Sequence, residues 1–535
     1  MLAGAALPLA RVLVAPMSTL PGDPRGDVYK HAWSFWHATV APGLHTDLLN
    51  APVGGLLLDV MWLPSRLLLP LTLVAGPAFT SNLWVLLSLT LIGLSTWALC
   101  RELGASSAGS LVAGLAAQTT PYVLGYPLFS GVHERLTLWV FPLLVLSLLR
   151  LGREGRWRWA ALAVGSLGFA TAGCQNYGVF ALPLVAATLP LLWKSPYRAR
   201  LAITLLGLGA VLVGLYGLVR WAADHPHSLA AQPGRVQIGL GQLNPGERLG
   251  AADLLDPRTM ASRHGIVELA DRLSKLTYVG WAPLLLALVG ALRARTPAVI
   301  GALVLSLLAM QAALGTGPVH TLLRWTVPGF GGIPAPWQLL ALTGPLLGVG
   351  LAWAVKRPSV AAGALTLILV ERVLVLPFPI VLPTADASER PIYAAIDGHN
   401  VLAIPRAHKG GMTAPAEVFW SQTWHHRPMP IAINVGATGA DRYAPVLDGR
   451  GTPPPLCLSQ GGFGWVLVYE DWLAPDATVD LGEPVMRDGT VALYALEEPE
   501  PSGFSIPITA GGNAGDTRMR RTGCPWNPPP QWRPR

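Results

Sequence analysis

Apolar residues gather in long unbroken runs along this chain. A helix needs about 20 of them to cross the roughly 30 Å hydrocarbon layer. Ten runs predict such helices: 81–100, 107–126, 134–151, 158–173, 175–193, 201–222, 277–293, 296–314, 337–355 and 359–377. The opening stretch, MLAGAALPLARVLVAPMSTL, is interrupted by Pro8, Arg11 and Pro16. Over residues 1–20 it predicts a weak or truncated first membrane segment. The arginine in its middle and the lack of a small-residue cleavage site speak against a signal peptide.

The run 56–76 is apolar enough to span but contains Asp59, Pro64, Arg66 and Pro70. Counting it as a span places the basic clusters Arg150/Arg153/Arg156/Arg158, Lys194/Arg198/Arg200, Arg293/Arg295 and Lys356/Arg357 outside the cell. Leaving it as a re-entrant or interfacial piece places all four, with Arg101, in the cytoplasm, as cytoplasmic loops prefer. The expected architecture is an α-helical polytopic membrane protein with about 10 to 11 helices and a small outward C-terminal domain, α/β or β-rich. Residues 21–80 form the first outward loop, and 81–378 the multi-span domain with an outward loop at 223–276.

Beyond residue 385 the pattern changes. NVLAIP, GWVLVYED and GTVALYAL are short runs rich in Val, Leu and Tyr, bounded by Gly, Pro, Asp and Asn. They predict strands in a domain over 385–497. His425 and His426, read as adjacent strand residues, point to opposite faces and are expected at the surface. Residues 498–535 are rich in Pro, Gly and Arg without periodicity and predict a disordered tail.

Composition agrees: 52% hydrophobic and 13% charged residues, with a mean hydropathy of +0.44, exclude a soluble protein. The net charge of +8 does not imply nucleic acid, because the cations lie in clusters between apolar runs. Cys100 and Cys174 lie in apolar segments. Only Cys457 and Cys524 are placed to form a bridge, and then in an oxidising compartment. No Walker A, GxSxG or HExxH sequence occurs, which argues against an ATP-driven pump, an esterase or a zincin.

The candidate chemistry sits in GDPRGDVYKHAW, residues 22–33. Asp23 and Asp27 are carboxylates able to deprotonate a hydroxyl or hold a divalent metal ion. Arg25, Lys30 and His31 are donors for phosphate, and Trp33 and Trp36 suit an interfacial anchor. The plain alternative is a charged loop wetted by solvent. A second constellation, GVHERL, offers His133 and Glu134. They either complete an acceptor or metal site with Asp27 or simply stabilise a helix start. Cys174 to Asn176 predict a tight turn. Glu371 is expected to pair with another helix, and Arg372 to snorkel.

GDVYKHAW, SNLWVLLSLTLIGLSTWALCRELGAS, GVHERLTLWVFPLLVLSLLRL, LTYVGWAPLLLALVGALRAR, VPGFGGIPAPWQLLAL and LILVERVLVLPFPI occur in that order. Together they resemble bacterial GT-C type membrane glycosyltransferases and the related YfhO-like membrane proteins. The IPAPWQ stretch lacks an arginine that the family pattern has after the second proline. The resemblance implies hexosyltransferase-type transfer of a sugar from a polyprenyl-phosphate donor to an acceptor lipid, polymer or protein. It places this chemistry on the outer face of the bacterial inner membrane, with the essential acid in the first outward loop. GDVYKHAW matches that acid to Asp27, with Asp23 in reserve. Membrane lipid is then a partner, nucleic acid is not, and no cofactor is certain beyond the metal option at Asp27. The rival readings are a non-catalytic scaffold or sensor, and a transporter of envelope polysaccharide or lipid. Transporters carry inverted repeats and midplane ionisable groups, whereas the ionisable residues here lie in loops and at span ends.

Overall fold

The computed structural model describes residues 1–41, 43–49, 55–57, 61–224, 251–256, 277–327, 330, 333, 336–375, 381–404, 416–429, 458–459, 463–472, 479 and 481–496. The loop proposed at 223–276 lies largely outside these residues, and Cys457, Cys524 and the tail 498–535 lie wholly outside them.

All ten apolar runs fall on helices, but several are shorter or more broken than a simple span. Four helices are long and apolar enough to cross a membrane among the described residues: Leu69–Glu102, His133–Glu154, Arg198–Leu218 and Pro336–Ala354. A fifth arises if Pro297–Ala313 and Gly317–Thr326, bent by 92°, count together. The chain is therefore a multi-pass membrane protein. The run 56–76 does not form one helix. It contains the short helix Trp62–Leu67 and then the start of Leu69–Glu102, which breaks at Gly76 (φ 81°, ψ 165°) just before Pro77. The first 20 residues form two five-residue helices, Leu2–Ala6 and Ala10–Val14, neither of which crosses a membrane.

The basic turns meet at one end of the bundle. Glu102 receives Arg150 Nε at 2.5 Å and Arg153 Nη1 at 2.6 Å. Ser195 Oγ donates to Gly152 O, Ser106 Oγ to Val355 O and Arg293 Nη1 to Ala354 O. At the opposite end the chain's beginning is laced to the segment after the last bundle helix, Pro358–Val375. Strand β1 (Thr19–Pro21) pairs antiparallel with β4 (Thr384–Asp386). The Gly22 N–H donates to Pro383 O, and the Leu382 N–H to Pro8 O. A two-residue ladder joins β2 (His45–Thr46) to β3 (Gly55–Leu56).

The C-terminal domain holds a four-stranded sheet in the order β5 (Asn400–Ile404), β6 (Phe463–Tyr469), β8 (Val491–Ala495), β7 (Met486–Asp488). NVLAIP, GWVLVYED and GTVALYAL supply three of these strands. β5 and β6 are parallel, which requires a crossover, and the helix Ala416–His425 lies between them in the chain. Both faces of the sheet are covered. Val401, Ala403, Leu467 and Leu493 join a core with Trp33 and Phe419, while Leu402, Ile404, Val466 and Val468 join a second core on the other face. Burial on both faces explains why these strands read as continuous apolar runs.

The helix Ala416–His425 corrects the reading of the double histidine. His425 is buried at the helix end, accepting the Arg427 N–H on Nδ1 at 2.9 Å, and only His426, at φ 56°, approaches the surface. His425 sits on the last turn of a helix, not on a strand, and the left-handed backbone at His426 just beyond it turns the second ring outward.

Candidate active site

The acidic loop runs directly into the helix Val28–Val40, and Asp27 is its N-cap residue. Ten of the thirteen residues in this helix are buried, because it is covered from two sides. On the bundle side Phe35 packs with Met61 and Trp84. On the other, Trp33 and Trp36 pack into the core of the C-terminal domain. These indoles are interior, not the interfacial anchors expected from sequence. Trp33 Nε1 donates to Gln422 Oε1 at 2.9 Å, and Tyr29 OH donates to Asp386 O at 2.7 Å. Burial pushes the Tyr29 hydroxyl pKa well above its ordinary value, with Glu417 adding to the shift. His37 is stacked on Trp33 at 4.6 Å with Nε2 3.0 Å from Thr46 Oγ1. Burial, reinforced by Arg66, lowers its pKa to about 4.

The loop is fixed against the segment 129–135. The Asp23 N–H donates to Phe129 O at 2.7 Å and the Asp27 N–H to Ser130 O at 2.8 Å. Such an approach needs small residues: a Cβ on Gly26 would overlap Ser130 O, and one on Gly131 would overlap Val28 N. The side chains then separate into distinct roles. Asp27 Oδ2 lies 2.9 Å from Lys30 Nζ, with the carboxylate side chain 19% exposed. Asp23 Oδ1 instead accepts the Arg25 N–H at 2.8 Å, a local turn at the surface, and Arg25 is exposed.

His31 and Glu134, both assigned to substrate from the sequence, are brought together and withdrawn from the surface. His31 Nε2 lies 2.9 Å from Glu134 Oε2, with side-chain exposures of 1% and 7%. His133 is fully buried with Nε2 3.3 Å from Pro21 O, its ring 6.1 Å from that of His31. His31, His133 and Glu134 thus lie in the interior behind the acidic loop. Asp27, Lys30 and Arg25 remain the more accessible groups.

Sequence reading missed several neighbours. Arg135 Nε lies 3.3 Å from Glu134 Oε1, and its Nη1 donates to Cys174 Sγ at 2.6 Å. Behind it, Tyr177 OH donates to the Arg135 carbonyl, and Asn176 Nδ2 donates to Gln338 Oε1 at 2.7 Å. Arg135 directly follows Glu134, so its adjacency was a usable signal. Gln422, 389 residues from Trp33, carried none. Among the described residues no group of three His, Cys, Asp or Glu side chains could hold a metal ion.

No family model and no curated protein matches the chain. Solved structures do. The chain is similar to the arabinofuranosyltransferase AftD from Mycobacteria at 16% identity and a TM-score of 0.57, over 94% of this chain and 42% of that one. This chain thus spans about two fifths of AftD's length. Weaker likenesses are to ArnT from Cupriavidus metallidurans bound to undecaprenyl phosphate (16% identity, TM-score 0.41, 93% of this chain and 99% of that one). Another is to the oligosaccharyltransferase AglB from Archaeoglobus fulgidus in complex with an inhibitory peptide and a dolichol-phosphate (11%, 0.42, 88% and 69%). The AftD likeness carries the fold: this is a GT-C type membrane architecture with a small sheet-containing C-terminal domain.

Proposed function

We propose that this chain is an integral-membrane glycosyltransferase that moves a sugar from a polyprenyl-phosphate donor to an acceptor on the outer side of the bacterial inner membrane. The observation that carries the reading is the setting of Asp27. A half-buried carboxylate stands at the seam between a GT-C type bundle and its C-terminal domain. Its backbone is tied to Ser130, and the Lys30 ammonium lies 2.9 Å from its carboxylate.

In this reading Asp27 takes the proton from the acceptor hydroxyl as that oxygen bonds to the sugar's anomeric carbon and the bond from this carbon to the lipid phosphate oxygen breaks. The phosphate leaves with the bonding electrons, and positive charge at Arg25 and Lys30 favours that departure. The gathering of the basic turns at the far end of the bundle supports an orientation with that end in the cytoplasm and the C-terminal domain outside.

The test is transfer from a labelled polyprenyl-phosphate sugar by membranes containing the wild-type chain or single variants. Asp27→Asn, nearly isosteric, is expected to lower transfer by about 10² to 10⁴ while insertion and expression hold. Asp23→Asn should do markedly less, since Asp23 serves a surface turn. Near-normal transfer by Asp27→Asn would overturn the assignment.

A further inference from the structure

The end of the bundle opposite the acidic loop gathers more charge than its own side chains neutralise. Around the turn from Val140–Glu154 to Trp157–Gly173 the chain carries Arg150, Arg153, Arg156 and Arg158, and around the turn into Arg198–Asp224 it carries Lys194, Arg198 and Arg200. Among the described residues only Glu102 and Glu154 come within ion-pair reach of any of them. No acidic residue occurs between Glu154 and Asp224, so five positive charges are left over. Glu154 is already shared. Its carboxylate lies 3.3 Å from Arg150 Nη1, 3.4 Å from Arg158 Nη2 and 3.6 Å from Arg156 Nε, and it accepts from Trp159 Nε1 at 2.9 Å. Both helices that follow these turns carry arginines in their opening turns and no acid in the first turn. The cations thus sit at the positive ends of two helix dipoles, an unfavourable place for them without a nearby anion.

The two turns are built into one surface. Ser195 Oγ donates to Gly152 O at 2.7 Å, Arg200 donates to Gly155 O, and the Arg200 guanidinium lies 5.4 Å from the Trp157 ring and 5.7 Å from that of Tyr197. Gly155, at φ 66°, lies against Tyr197: a Cβ there would be 2.4 Å from Cδ1 of that ring. Arg156 and Arg198 are the next residues along each turn, and both are exposed, the Arg156 side chain at 63%. Beyond them the helices present hydrocarbon to the bilayer. Trp157 is 50% exposed and Trp193 76%, and indoles favour this interfacial depth. Ala161 and Gly165, one and two turns along from Trp157, are exposed small residues. Ile203 and Leu206 are exposed on the helix Arg198–Asp224, which touches Trp157–Gly173 where a Cβ on Gly207 would lie 3.4 Å from Val164 Cγ2. Small residues beside large ones leave a shallow apolar groove that runs away from the cations.

We propose that this surface seats an anionic phospholipid of the surrounding leaflet, its phosphate held by Arg156 and Arg198 and an acyl chain lying along Trp157, Ala161, Ile203 and Leu206. A guanidinium fork offers two parallel N–H groups to phosphate oxygens, and basic pockets between membrane helices suit anionic headgroups. The seat lies at the far end of the bundle from Asp27 and takes a bulk membrane phospholipid, not a sugar donor. It therefore stands or falls separately from the glycosyltransferase reading.

The experiment titrates the purified full chain, delipidated in detergent, with phosphatidylglycerol and with phosphatidylcholine of the same acyl chains, read by native mass spectrometry. Phosphatidylglycerol is expected to bind at least about tenfold more tightly, a difference of about 1.4 kcal/mol. Arg156→Gln combined with Arg198→Gln should bind the two lipids alike, with its phosphatidylcholine affinity unchanged. Each single variant should lose part of the preference, and the singles decide the matter if the double variant fails to fold. Lys356→Gln combined with Arg357→Gln removes two exposed cations from another turn at the same end and should keep the full preference. Equal binding of both lipids by the wild type would overturn the proposal. So would an equal loss of preference in the Lys356/Arg357 variant, which would reveal diffuse charge instead of a seat. sn-Glycerol 3-phosphate displacing phosphatidylglycerol at equal concentration would overturn the part assigned to the acyl chain.

Discussion

His31 Nε2 and Glu134 Oε2 meet at 2.9 Å in the interior, joining the helix that follows Asp27 to the segment that receives the loop. Removing one member of a buried pair leaves the other without a partner, at about 3–5 kcal/mol. Glu134→Ala also strips Arg135 of its carboxylate. Its thermal midpoint in detergent should fall sharply. The double variant with His31→Ala should be much less unstable than the sum of the two singles, because the second change removes a group already stranded. Additive losses would show that the two side chains do not act as a pair.

Gln422 performs the matching task from the C-terminal domain. Its Oε1 accepts from Trp33 Nε1, and its Nε2 donates to Leu48 O at 2.7 Å and Arg427 O at 2.9 Å. Gln422→Leu fills similar space but leaves an indole N–H and two carbonyls unpaired, each buried group costing about 1–3 kcal/mol. Amide hydrogen exchange in the helix Val28–Val40 should rise, while the helix Val140–Glu154, on the far side of the bundle contacts, keeps its protection. Unchanged exchange in Val28–Val40 would count against a clamp at this residue.

Two buried histidines give the contact between the domains a pH dependence. Burial, with His426 and Arg427 nearby, pushes His425 down to about 3, and burial with Arg66 pushes His37 down to about 4. His425 Nδ1 already accepts the Arg427 N–H, so a proton there would displace a hydrogen bond. The unfolded chain binds these protons near the ordinary histidine value of about 6.5, and the folded chain does not. Stability is therefore full above that value and is lost as pH falls toward 4, by about 1.4 kcal/mol per pH unit for each group. Urea unfolding of the detergent-solubilised protein between pH 7.5 and 4.5, both values about two units or less from the histidine range, should show this decline, and His425→Gln should make it shallower.

The elements that were legible in the sequence are those set by local pattern. Each long apolar run became helix because a backbone inside hydrocarbon must satisfy its own hydrogen bonds. The three C-terminal strands declared themselves by β-branched and aromatic residues between Gly, Pro and Asp. The interruption at Gly76 and Pro77 was foreshadowed by the prolines and charges of 56–76. Pairings between distant residues were not legible. Nothing in GDVYKHAW says that His31 faces Glu134, 103 residues later, in the interior. Nor does the text around Trp33 say that Gln422 waits for its N–H. Trp36 was misplaced for the same reason, since it packs into a core shared with the C-terminal domain that no single segment encodes, whereas His425 was misplaced because its segment is helix and not strand. At Arg372, proximity to a span end suggested water, whereas packing against Thr119 and Gly280 closes it off.

The approach of the acidic loop to Ser130 leads to a prediction that separates placement of Asp27 from its charge. A methyl group at Gly26 would overlap the Ser130 carbonyl group, so Gly26→Ala must push the loop off its seat, with an overpacking cost of about 1–3 kcal/mol. Asp27 keeps its carboxylate and Lys30 its ammonium, yet the pair moves. A displacement on the order of 1 Å in a positioned group is enough to lower a rate about 10²-fold. Transfer by Gly26→Ala should fall by roughly that factor, measured beside Gly214→Ala, where a Cβ meets nothing within 4 Å on the helix Arg198–Asp224. There the change should be neutral or stabilising by up to about 1 kcal/mol, since alanine is the better helix former. If both variants transfer like wild type, the loop tolerates movement that a general base would not, and Asp27 loses its claim to that role even if its charge proves necessary.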